Sequence, residues 1–201
     1  MTGDRAAASV ASVPTVALLD AIASRSPTPG AGPAAAWTCA IAAALVQMTY
    51  AVMAAKSEDT NADSERRGRR AHELRDLAVE LADADATAYG RVLAVLRRRE
   101  EPGHAKRLRE ALSLAADPPL TIAEVAAEVT RLAADAAEQA SGGVRGEART
   151  AAVLGEAVVR AAEVMVIMNL GGRTDDPRRA EIATLAELAS RDLERASRSM
   201  P

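Results

Sequence analysis

Phenylalanine is absent from the 201 residues, Trp37 is the only tryptophan, and Tyr50 and Tyr89 complete the aromatics. Without large rings the core must be built from Ala, Leu, Val, Ile and Met, which favours closely packed helices over a sheet. Cys39 is the only cysteine. It excludes a disulfide framework or a cysteine-based metal site within one chain, and it suits a reducing cytoplasm. Lysine is scarce, Lys56 and Lys106 standing against 23 arginines. A net charge of −3 gives no general pull toward nucleic acid or an anionic membrane. His72 and His104 lack metal-ligand spacing, so no metal is expected. No phosphate-loop lysine follows the glycines and no strand precedes them, which excludes a nucleotide-triphosphate loop and a dinucleotide fingerprint.

Charge is missing most completely between Ser26 and Ala55, in a chain whose Asp, Glu, Lys and Arg make up 26% of the residues. The run opens on Ser26-Pro27-Thr28-Pro29-Gly30-Ala31-Gly32-Pro33. Pro33 fits the first turn of a helix, where its missing N–H has no partner to lose. The length would permit a membrane span. Eleven of the residues from 31 to 55 are Ala, however, and Thr38, Gln47, Thr49 and Tyr50 interrupt the apolar surface. Alanine adds little transfer energy, so a buried central helix is the preferred reading and no membrane partner is expected. A Pro/Gly loop feeding a helix N-terminus exposes N–H groups and a positive dipole end, which favours anions or electron-rich carbonyls. A tight turn between two helices accounts for the same residues.

Residues 1–13 carry no continuous Leu-rich core and are expected to be a disordered tail rather than a secretory signal, with residues 14–201 as a single domain. A short amphipathic helix near Thr15 carries apolar residues at 16, 18, 19 and 22 and stops before Pro27. The uncharged helix ends at Lys56, a polar connection covers 57–64, and a helix of about 30 residues runs from near Glu65 to near Glu100. Leu74, Leu77, Ala78, Leu81, Ala88, Val92, Val95 and Leu96 form its apolar stripe. Further helices are read from Leu108 to Ala115, from Asp117-Pro118-Pro119 to the break at Ser141-Gly142-Gly143, from Gly146 to Leu170, and after Asp175-Asp176-Pro177. No alternating strand pattern appears. The expected fold is all-α, with six or seven helices packed around the central Ala-rich helix. Basic clusters at 66–70 and 97–99 read as solvated helix ends, and aromatic stacking residues are too few for nucleic-acid binding.

Asp85 breaks the stripe. It follows Leu81 by four residues and precedes Ala88 by three, so helical spacing sets its carboxylate among apolar neighbours. Either it sits at the stripe's edge paired to an Arg, or it is a site carboxylate whose pKa burial raises.

The order of motifs carries a resemblance. Leu19-Asp20-Ala21-Ile22-Ala23, then Pro27-Thr28-Pro29-Gly30-Ala31-Gly32 and an Ala-rich helix ending in Lys56, resemble the formiminotetrahydrofolate cyclodeaminase and methenyltetrahydrofolate cyclohydrolase family. Leu81 to Tyr89, Pro119-Leu120-Thr121-Ile122-Ala123-Glu124 and Val166-Ile167-Met168-Asn169-Leu170 resemble its later motifs, in the right order over residues 16 to 170. Departures are Ala31 and Pro33 in the loop, Gly146-Glu147 in place of a hydroxyl residue and Asp, Met165 in place of an Asn, and Ser57 in place of a second basic residue. The resemblance implies a dimeric helical bundle that ejects ammonia from a formimino group with ring closure, or hydrolyses a methenyl bridge. It implies a tetrahydrofolate derivative as substrate and no separate cofactor. Asp85, Lys56 and Glu147 are then the candidate catalytic residues, with Pro29, Gly30, Gly32, Tyr89 and Asn169 as substrate-binding residues. Two other functions are open: a cyclase, deaminase or hydrolase acting on a non-folate molecule, and a noncatalytic helical interaction protein.

Overall fold

The computed structural model describes residues 14–56 and 61–198. The expected N-terminal tail lies outside the described residues. Seven α-helices are present among them: α1 (Thr15–Ile22), α2 (Ala31–Lys56), α3 (Asn61–Leu96), α4 (His104–Leu114), α5 (Asp117–Gln139), α6 (Gly143–Leu170) and α7 (Pro177–Arg198). No strand occurs among the described residues. The all-α expectation holds, and α3 begins four residues earlier than the sequence suggested, at Asn61.

Alanine sets the architecture. Ala36, Ala42, Ala43, Ala71, Ala126 and Ala133 are fully buried, and such small side chains let helix backbones come close. Helix α2 packs on α3, α5 and α6, while α7 covers α5 and α6. Gly32 of α2 meets Asp85 of α3, and Gly68 of α3 lies over Tyr50 of α2, so these two helices run in opposite directions. Helices α5 and α6 also meet closely at a glycine, Gly155 abutting Ala126 and Thr130. Buried Thr49 and Thr130 turn their hydroxyls onto the carbonyls of Leu45 and Ala126, at 2.9 and 2.7 Å, so neither needs an outside partner.

A polar network ties the end of the bundle remote from the Pro/Gly loop. The Tyr50 hydroxyl donates to the Leu132 carbonyl at 3.1 Å, and Arg67 donates to Asp63 and to Asp135 at 2.7 and 2.6 Å. Arg195 of α7 donates to the other Asp135 oxygen at 2.8 Å. Four helices therefore share one polar cluster, with charges from α3, α5 and α7 and a hydroxyl from α2.

By length and hydropathy α2 is apolar enough to cross a membrane, but three helices pack on it here. Part of its surface is left open: Ile41 and Met48 are 54% and 39% exposed. The expected apolar stripe of α3 is narrower than its spacing suggested, because Leu77 and Leu96 lie outside the contact with α2 and α5 and are exposed. Val16 and Leu19 of α1 are exposed likewise. Helix α4 buries none of its side chains.

Candidate active site

The loop through Pro27 and Thr28 turns the chain into α2, and Ser26 Oγ donates to the Thr28 carbonyl at 2.6 Å within it. The Thr28–Pro29 peptide is cis. Because α3 passes the start of α2, the Asp85 carboxylate rests directly on Gly32, where any Cβ would overlap it. Residues 30–32 from α2 and its loop, Asp85 and Tyr89 from α3, and Met165, Met168 and Asn169 from the end of α6 enclose a cleft of about 250 Å³.

Asp85 has no hydrogen-bond or ion-pair partner among the described residues, and its oxygens keep access to the cleft. Burial alone pushes its carboxyl up to about 6, since leaving water penalises the charged form and no cation compensates. An edge position paired to an Arg is therefore not what the structure shows. Asn169 donates its side-chain N–H2 to the Ala115 carbonyl at 2.7 Å, which ties the end of α6 to the α4–α5 junction. Among the described residues no Lys, Arg or His side chain lines this cleft.

A second groove lies between α2 and α3 near Gln47, Gly68 and His72. Its ionisable groups are engaged at the surface, His72 beside Asp76 at 3.4 Å and Arg69 beside Glu65 at 3.8 Å. Among the described residues this groove offers no unpaired carboxylate, whereas the Asp85 cleft does.

The profile of the Formiminotransferase-cyclodeaminase family matches residues 14–187. The chain belongs to this family. It is 34% identical over 166 residues to a methenyltetrahydrofolate cyclohydrolase of Methylorubrum extorquens, covering 78% of this chain and 79% of the relative. It is also similar to the crystal structure of formiminotetrahydrofolate cyclodeaminase from Thermotoga maritima, with a TM-score of 0.82 and 25% identity over 94% of this chain and 96% of that one.

Within this cyclodeaminase-family subunit, the sequence-derived residues fall into two groups. Asp85, Gly30, Gly32, Tyr89 and Asn169 come together, while Pro29 stands in the loop without lining the cleft. Lys56 is the last residue of α2, 25 residues from Ala31 and so about 37 Å along the helix axis. Glu147 is exposed near the start of α6, 22 residues before Asn169, or about 33 Å. The structure does not bring either of them to Asp85 within one subunit. Helix length is the physical reason, because motif order places residues on one chain without measuring the rods that separate them. Met165 and Met168 were not among the candidate site residues; Met165 lies four residues before Asn169 and three before Met168, spacings that bring helical residues to one face, and this was the available signal.

Proposed function

We propose that this chain hydrolyses the methenyl bridge of a tetrahydrofolate, with Asp85 as its acid/base group. The chain is a folate one-carbon enzyme of the cyclodeaminase/cyclohydrolase type, as its family and relatives indicate. The observation that carries the finer reading is Asp85 standing unpaired in the cleft, held near 6 by burial. A general base works best when its pKa lies close to the operating pH.

Water adds through its oxygen to the cationic bridge carbon while Asp85 takes one of its protons. The carbon–nitrogen bond to one ring nitrogen then breaks, and that nitrogen receives the proton from Asp85. The second water proton leaves to solvent as the formyl carbonyl forms. Cation and water thus give a neutral formyl product and one proton. N–H groups at the start of α2 have no partner inside the helix and suit the oxygen that develops charge in the adduct. Ring closure with loss of ammonia would use the same carboxylate, a reading favoured by the likeness to the Thermotoga maritima cyclodeaminase. These relatives do not favour the non-folate enzyme or the noncatalytic scaffold.

The working unit in this reading is a homodimer formed through the open, uncharged side of α2 and the adjoining exposed residues Val153 and Val164 of α6. Contiguous apolar surface of this kind marks an association site. Lys56 and Glu147 would reach an Asp85 cleft only from a second subunit. Cys39, buried and with its thiol pushed up to about 12, fits a cytoplasmic protein.

Loss of methenyltetrahydrofolate, followed by its absorbance, tests the proposal. Turnover that falls at least about 100-fold in Asp85→Asn supports it. Absence of turnover and of binding with millimolar methenyl and formimino forms would overturn it.

A further inference from the structure

Among the described residues, Asn169 is the cleft side chain whose orientation is set by a hydrogen bond from outside. An amide side chain offers both a donor and an acceptor. Here the donor end is engaged by the Ala115 carbonyl at 2.7 Å. Oδ1 has no partner among the described residues and retains solvent access. The Ala115 carbonyl is itself fixed, because it belongs to a junction gripped by Arg178, which donates to the Ser113 carbonyl at 2.7 Å and to Ser113 Oγ at 2.9 Å. Rotating the amide would set its oxygen against the Ala115 oxygen, so the tether fixes which end meets the cleft.

The remainder of the lining points the same way. Asp85 contributes carboxylate oxygens, Tyr89 an aromatic ring, and Met165 and Met168 polarizable thioethers, with no cationic side chain among them. Such a surface suits a planar, delocalised cation bearing C–H or N–H groups and gives no side-chain welcome to an anion.

We infer that Asn169 is a specificity residue, presenting Oδ1 beside Asp85 so that the cleft selects the positively charged amidinium form of a one-carbon unit over its neutral formyl form. The inference rests on the proposed folate reaction and deepens it. The substrate of that hydrolysis carries the charge and the product does not, so this polarity also assists product release.

The test compares two constants: KM for methenyltetrahydrofolate, and Ki for formyltetrahydrofolate as product inhibitor. A variant without turnover is read by equilibrium binding instead. Asn169→Ala should weaken the methenyl form about tenfold, the size of one charge-assisted hydrogen bond, and leave the formyl form within about twofold. Asn169→Leu keeps the volume of the side chain without its oxygen and should weaken the methenyl form by a similar factor. Equal weakening of both ligands by either variant would overturn the inference. Far-ultraviolet circular dichroism checks folding, and if the Ala variant does not fold the Leu variant decides by itself. Wild-type protein that handles neither ligand overturns the folate reading, and this one with it. Wild-type protein that handles both equally overturns only the charge selection.

Discussion

The Asp85 carboxylate occupies the space that any side chain at residue 32 would need. Two helices can approach this closely only at glycine, so the position of the acid/base group is dictated by a residue with no functional group of its own. Gly32→Ala should therefore displace Asp85 and lower kcat/KM by about 100-fold, the scale of an ångström-sized misplacement. Thermal unfolding should show a loss of about 1–3 kcal/mol from overpacking. In Gly32→Ala/Asp85→Ala the stability should return while activity does not; a double variant no more stable than the single one would contradict the clash.

The pH dependence of Asp85 has a defined sign. Its folded pKa, about 6, exceeds the ordinary aspartate value of 3.8, so the folded state holds the proton more tightly. Stability from this group is full below about 4 and is lost as pH rises through about 6, by at most about 3 kcal/mol. Asp85→Asn removes a buried charge and should stabilise the protein at pH 8 but not at pH 4, measured by urea unfolding at both. In the wild-type enzyme kcat/KM should climb with a midpoint near 6 as the base form appears. A flat profile from pH 5 to 8 would remove Asp85 from the rate-determining proton transfer.

Arg67 holds Asp63, Asp135 and the Tyr50 hydroxyl together at the remote end of the bundle. Its replacement by Ala leaves Asp135 with Arg131 and Arg195 and should cost about 2 kcal/mol. Arg198, paired with Glu194 at an exposed site, should cost less than about 0.5 kcal/mol when replaced. Equal denaturant midpoints for the two variants would show the network to be no stronger than a surface pair.

Ile41 sits on the open, uncharged side of α2. Ile41→Asp should convert a dimer to a monomer in sedimentation velocity, since it sets a charge in an apolar contact at each of two symmetry-related places. A wild-type protein that sediments as a monomer at about 100 µM, a loading on the order of a hundred times a micromolar Kd, would exclude the dimer.

Helix order was readable because Pro and Gly punctuate this chain sharply: Pro33, Pro118 and Pro177 lie at or near helix starts, and Gly171 ends α6. Asp85 was readable as an interruption in an apolar stripe. What could not be read was its neighbour, because contact between Gly32 and Asp85 depends on the antiparallel register of α2 and α3, set by alanines that look alike along the whole helix. Asn169 was legible as a candidate only through the resemblance; only the fold reveals that the α4–α5 junction meets it. The exposure of Leu77 and Leu96 has a similar origin, since spacing gives a stripe but not how much of it the neighbours cover.

Helix α4 is held in an unusual manner. None of its side chains is buried, yet carbonyls along it and just after it are gripped by Arg173 at Arg109, by Arg178 at Ser113 and by Asn169 at Ala115. Carbonyls are the same whatever the side chain. Apart from Ser113, whose hydroxyl also meets Arg178, its own sequence is thus free to drift so long as the three grips outside it persist, and its amide hydrogens should exchange with deuterium well before those of α5.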